Sequence, residues 1–242
     1  MTARNVATAA LFLVGAAVIS GALLTARAEE GKGPNHDAAT KGAVDAKAQA
    51  MADYATACQL ADYGRRNSDP MALISAARIL KAVTTQAMEA QPETKKSEGE
   101  AADDQKEESK NPPITAESCL DAAAGMIGED EALAALIETV RAEKMREAVG
   151  GPQRGEYVLN GRCYQDFVVS FHGGRCAEVC LQGDGDTDLD LFIYDQNGNL
   201  IVSDTRAGDY CGVHWTPRWT GPFRIRVVNL GRVWNRYVIA TN

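Results

Sequence analysis

Four aspartates at alternate positions, Asp184, Asp186, Asp188 and Asp190, are the densest chemistry in this 242-residue chain. Hard cations such as Ca²⁺ need several clustered oxygens, so the run is a candidate calcium site. Asp195 falls at the twelfth position counted from Asp184, which matches the length of an EF-hand loop. The sixth position, however, is Leu189, where that motif turns sharply on Gly, and the segment runs on as a strand rather than a helix. The EF-hand is therefore excluded. A calcium site of another kind competes with a plainer reading, in which the aspartates are a solvated edge paired with Arg224 or Arg226. The plainer reading is preferred, and no other cofactor is expected.

Catalytic groups are sparse. His36, His172 and His214 are isolated in the sequence, and no HExxH, G-x-S-x-G or phosphate-loop pattern occurs. The expectation is a protein that is not an enzyme. Trp215, Trp219 and Trp234, accompanied by Arg218, Arg232 and Arg236, are a candidate ligand face for a glycan or peptide. The same residues suit the core: tryptophans of a small sandwich plug its open ends, with arginines stacked outside. That second reading is preferred.

The elements that must carry these groups begin with an export leader. Arg4, an apolar run from Val6 to Leu24 and Ala26-Arg27-Ala28 have the grammar of a Sec-type signal peptide over 1–28, cleaved after Ala28. The product is expected to be periplasmic or secreted, with no stable membrane insertion after cleavage. The formal net charge is −8, and losing Arg4 and Arg27 makes it more negative, so nucleic acid is excluded as a partner. Six cysteines, Cys58, Cys119, Cys163, Cys176, Cys180 and Cys211, read as disulfides in an exported chain. Cys176 and Cys180 on one strand would lie ~13 Å apart and could not bond each other. The economical pairing is Cys58 with Cys119, and the other four among themselves in an order left open.

Residues 37–149 carry helical periodicity. A first helix is expected to close around Tyr63-Gly64, and a second to start at Ser68-Asp69-Pro70 with an acidic cap and Pro at its first position. A third is expected from Thr115 to Gly125–Gly128, and a fourth from about Glu129 to Val149. The charged stretch 91–113 lacks aromatic and β-branched aliphatic residues and reads as a disordered loop. From 153 to 242 the period changes to two. Leu189, Leu191 and Ile193 share one face of a strand, Asp195-Gln-Asn-Gly198 turns it, and Leu200–Asp204 returns. With Tyr157–Leu159, Cys163–Phe171, Arg175–Leu181, Phe223–Asn229 and Trp234–Thr241, about seven strands predict an antiparallel β-sandwich. The fold class is thus α+β: about four helices with a disordered loop, then a jelly-roll-like sandwich.

The hairpin Thr187-Asp-Leu-Asp-Leu-Phe-Ile-Tyr-Asp195 with Asn197-Gly198-Asn199, the strand Gly221-Pro-Phe-Arg-Ile-Arg-Val-Val-Asn229 and Asn235-Arg-Tyr-Val-Ile239 together resemble the bacterial pre-peptidase C-terminal (PPC) domain. The resemblance covers about residues 155–242. It implies a jelly-roll-like sandwich appended to exported proteins, usually non-catalytic, with calcium or polymer binding in some relatives. No recognisable protease precedes it here, and the four cysteines with the Cys211-x₃-Trp215-Thr-Pro217 segment look like features of a variant group of that family. The expected function is an exported, non-catalytic interaction module of the cell envelope, with an envelope protein, a peptide or a glycan as partner. The alternatives are an accessory or degenerate component of a secreted hydrolase and a calcium-stabilised structural envelope protein. A cleft with convergent polar groups, in the sandwich or where it meets the helices, is the feature that would favour the hydrolase relative.

Overall fold

The computed structural model describes residues 33–97, 108–144 and 150–242. The expected signal peptide and the middle of the expected disordered loop lie outside them. Four helices, α1 (Ala46–Asn67), α2 (Pro70–Ala82), α3 (Ala116–Ala124) and α4 (Glu131–Ala142), precede most of the strands. Each starts on a side chain able to satisfy the orphan amides of a first turn. Asp45 accepts from Ala48 N (2.9 Å), Asp69 from Met71 N and Ala72 N, Thr115 from Ser118 N and Asp130 from Leu133 N. Gly64 does not end α1 as the sequence suggested. The helix continues to Asn67, and Ser68 takes the left-handed conformation (φ 51°). Gly64 is instead a packing position, where a Cβ would come within 2.7 Å of the Leu73 side chain on α2.

The strands are β1 (Gln86–Ala87), β2 (Glu93–Lys96), β3 (Gln153–Leu159), β4 (Cys163–Phe171), β5 (Ala177–Gln182), β6 (Leu189–Asp195), β7 (Leu200–Asp204), β8 (Tyr210–Trp215), β9 (Gly221–Asn229) and β10 (Asn235–Thr241). They form two five-stranded sheets in the orders β1-β3-β10-β5-β8 and β2-β4-β9-β6-β7. All pairings are antiparallel except β1 with β3. The inner faces meet over a core that includes Phe167, Leu189, Leu191, Ile193, Phe223, Ile225, Val227 and Tyr237. Period-two alternation along β6 and β9 puts these side chains inside, as their sequence pattern requires.

The helices form a third layer on the outer face of the first sheet. Their core joins Met51, Tyr54, Leu73, Leu120 and Ile137 to Cys180 of β5 and Ala240 of β10. Strand β10 is therefore buried on both faces, and reads as a nearly unbroken apolar run from Tyr237 to Ala240. Tyr54 and Arg154 tie the layers, with Arg154 Nε donating to the Tyr54 hydroxyl (3.2 Å).

Two expectations are corrected here. Glu93–Lys96, inside the stretch read as disordered, is the edge strand β2, in register with β4 from Glu93↔Asp166 to Lys96↔Cys163. All four of its side chains are exposed. The backbone ladder on the open edge of β4 holds it, so its lack of apolar residues was no bar, and its charges blunt the edge it now forms. The cysteines are the second. All six are free thiols. Because Val179 and Leu181 point into the sandwich, Cys180 faces the opposite way, into the helical layer beside Cys58 and Cys119. It is thus separated from Cys163 and Cys211, with which the sequence grouped it. The Cys58 side chain is hydrogen-bonded to Cys180, and that contact, followed by burial, holds the Cys180 thiol well above its ordinary range.

Candidate functional site

The four aspartates of the hairpin do not converge. Asp184 is buried, and its Oδ2 accepts from Arg236 N (3.0 Å). Asp186 Oδ2 accepts from Lys110 N (3.0 Å), and Asp188 Oδ1 from Gly208 N (2.8 Å). Asp190 lies one pleat further on, with its Oδ1 buried and unbonded, and burial raises its pKa, aided by Asp188 and Asp204. Three of the four thus anchor three different backbone segments. Among the described residues, no group of three or more His, Cys, Asp or Glu side chains is arranged to hold a metal ion. Isothermal titration of the folded protein with Ca²⁺ is expected to give no binding heat, and ethylenediaminetetraacetate to leave its melting temperature unchanged. A stoichiometric heat would refute that expectation. Nor do Arg224 and Arg226 pair with the hairpin aspartates. Arg226 forks onto Asp166 across β9 and β4 (2.7 Å twice) and stacks over Tyr164, while Arg224 sits over Tyr194.

Asp195 closes its turn as a multiple acceptor. It takes hydrogen bonds from Asn197 N, Asn199 N and Asn199 Nδ2 (2.9 Å each), and from Asn35 N (3.0 Å). Burial pushes its pKa up, but the bonds from Asn199, Asn35 and Asn197 outweigh it and the net shift is downward. Asn35 is fully buried and also bonds Arg218 N and Trp219 N through its Oδ1 and Trp219 O through its Nδ2. Nothing in the sequence signals this strap, because a single Asn outside any periodic segment carries no pattern.

The tryptophans do not make one face. Trp215 is 2% exposed and packs edge-on against Phe171 (4.7 Å) and beside Phe223 (5.3 Å), so it belongs to the sandwich core. Trp219 and Trp234 are half-buried. Strands β8 and β10 both run antiparallel to β5 between them. Trp215, at the end of β8, and Trp234, just before β10, therefore lie at opposite ends of the sheet.

What the structure assembles instead is a cleft of about 1090 Å³ between the helical layer and the sandwich. One wall is α1, whose Thr56, Gln59, Leu60, Tyr63 and Arg66 recur at three- and four-residue spacing and so share a side of the helix. The other is built from Gln182 and Tyr210, cross-strand partners at the ends of β5 and β8, with Arg206–Asp209 of the β7–β8 connection and Gly185. Lys110 and Asn111 close one end. Gln59 Nε2 donates to the Tyr210 hydroxyl (3.0 Å) across the floor. Burial, and then Cys180, raise the Tyr210 pKa, so the phenol stays protonated. Asp209 is buried, its Oδ1 accepting from Asn235 Nδ2 (3.3 Å). Burial, opposed by that bond and reinforced by Asp184, pushes it up to about 7. Gln182 Oε1 is buried without a hydrogen-bond partner.

The cations of the cleft fall into two kinds. Arg66 pairs with Asp62 (2.8 Å), and Arg206 forks onto Asp204 (2.8 and 2.7 Å). Arg65 makes no ion pair among the described residues; its Nη2 donates to Pro112 O (3.1 Å), and burial lowers its pKa. None of the three histidines lines the cleft. A second concavity of about 610 Å³ lies among α1, α2 and the end of α4, but its Arg78 and Lys81 are already engaged by Glu143 and by the carbonyls of Val140 and Arg141.

No protein-family model and no curated protein matches the sequence. Among solved structures, a de novo designed double-stranded β-helix aligns with 37% of this chain and 99% of its own, at 16% identity and a TM-score of 0.25. A carbohydrate-binding module, CBM6cm-2 from Cellvibrio mixtus lichenase 5A, aligns with 38% of this chain and 86% of its own, at 8% identity and a TM-score of 0.26. The C-terminal CBM6 of a laminarinase from Zobellia galactanivorans aligns over 37% and 79% respectively, at 10% identity and a TM-score of 0.26. Likeness at this level carries no argument about ligand or activity.

Proposed function

We propose that this protein is an exported, non-catalytic binding module whose ligand sits in the cleft between α1 and the β5–β8 end of the sandwich. The observation that carries the reading is the cleft itself: both layers build it, and Gln59, Gln182, Tyr210, Arg65 and Lys110 line it with polar groups. The resemblance of residues 155–242 to PPC domains and the leader over 1–28 support export and a binding role.

The position of the cleft, at the junction of helices and sandwich, also favours a second reading: an accessory or degenerate component of a secreted hydrolase. Asp209, buried there and shifted to about 7, is the group such a relative would retain. One experiment separates the two. Protein purified from residue 29 onward is applied to glycan and peptide arrays beside an Ala207→Trp variant, which fills the cleft from an exposed loop position. The expected result is retention of one ligand class by the parent and its loss in the variant, with an unchanged melting temperature. Retention by both proteins refutes the cleft as the seat, and residual cleavage of an arrayed ligand, which a pure binding module does not give, favours the hydrolase relative.

A further inference from the structure

Two cations of the cleft form no ion pair with a carboxylate among the described residues. Arg66 and Arg206 are neutralised by Asp62 and Asp204, whereas Arg65 and Lys110 form no ion pair among the described residues. Arg65 is half-buried on α1, and the Lys110 chain lies over Gly185, its Cδ 3.3 Å from where a Cβ would stand. Asp62 and Asp209 favour the Arg65 charge from nearby without contacting it, and a carboxylate would meet its fork with two parallel hydrogen bonds. Gln59 and Gln182 also line the cleft, and their amides can meet ligand hydroxyls. Tyr63, 48% exposed on the same wall, offers a ring face to an apolar ligand edge.

An occupant suited to this lining presents an acid, hydroxyls and a flat C–H face. A phosphate-dense polyanion such as a nucleic acid is disfavoured, because Asp209 lines the cleft with Asp184 and Asp186 near it and the whole chain is at −8. We propose that the cleft takes an acidic oligosaccharide, with a uronic-acid carboxylate on Arg65 and Lys110 and the sugar ring against Tyr63. The assignment rests on the cleft being the ligand seat and adds the class of ligand.

The test uses alginate and polygalacturonate oligomers, the same oligomers with their carboxyls reduced to alcohols, and an oligoglutamate peptide, each titrated calorimetrically. Binding of an acidic oligomer, weakened at least about tenfold on reduction (~1.4 kcal/mol), is the expected outcome. Arg65→Gln should erase that difference, leaving the reduced oligomer's affinity unchanged, and Tyr63→Ala should weaken both forms. Should Arg65→Gln fold poorly, Arg65→Lys, which keeps the charge and loses the fork, should still weaken the acidic oligomer several-fold. Equal binding of acid and alcohol overturns the acid assignment, and tighter binding of oligoglutamate overturns the sugar; both leave the cleft as a seat if Ala207→Trp abolishes them. No binding of any acidic oligomer also overturns the inference, and the array experiment then stands alone as the judge of the cleft.

Discussion

Trp215→Ala is expected to remove about 3–5 kcal/mol of folding stability, the usual cost of truncating a large aromatic in a packed core. Trp215 is 2% exposed, and Phe171 and Phe223 lean on its ring, so the hole would open where β8 meets the opposite sheet. Its indole Nε1 is buried without a hydrogen-bond partner. Trp215→Phe should therefore cost much less, since it discards an unsatisfied donor along with part of the ring. Urea denaturation followed by far-ultraviolet circular dichroism measures both. An alanine variant with an unshifted midpoint but lost ligand binding would return Trp215 to the surface role that its neighbours Arg218 and Trp219 suggest in sequence.

The second large effect is on pH dependence. Asp209 ionises near 3.8 in an unfolded chain and at about 7 in the folded one. Between those values the unfolded chain has released its proton while the folded chain keeps it, so the unfolded state binds fewer protons and stability falls as pH rises. The contribution is fully present below about 4 and gone above about 7. At ~1.4 kcal/mol per pKa unit, the loss reaches up to about 4 kcal/mol. Glu178, pushed up to about 7 by burial, slopes the same way. Asp195 and Asp204, whose pKa values are lowered, lose their contributions only as the pH drops below the same window. Asp209→Asn should raise the melting temperature at pH 8 and leave it nearly unchanged at pH 4, flattening the profile. A wild-type melting temperature that climbs from pH 5 to pH 8 would contradict this account.

Much of the fold could be read from the chain because its signals are periodic and local. The alternation of Leu189, Leu191 and Ile193 sets the phase of β6, and Asp69-Pro70 starts α2 where a cap and a fixed φ coincide. What stayed hidden depends on partners distant in sequence. Glu93–Lys96 has no strand pattern of its own and becomes a strand only because β4 offers it an edge. Cys180 looks like a sandwich cysteine until α1 is seen covering its face. The cleft was least legible of all, since Gln59 and Tyr210 meet across 151 positions and neither belongs to a recognised motif. Gln182 gave no sign either: a Gln at a strand end is ordinary until its carbonyl proves to be buried and unanswered.

The two short strands contributed by the helical half carry a consequence for where this protein can be cut. Strand β1 hems the free side of β3 and β2 hems the free side of β4, one for each sheet. A fragment beginning at Gln153 would keep the jelly-roll-like core intact yet expose two unpaired backbone ladders next to one another, together with the apolar flank of Ala240 and Cys180 that the helices cover. Such a fragment invites its own copies to pair along those ladders, so recombinant boundaries drawn at the change of composition would yield aggregates rather than a module. The smallest well-behaved unit starts upstream of α1, near Asn35, and residues that look like a separable prefix are the selvedge of the sandwich.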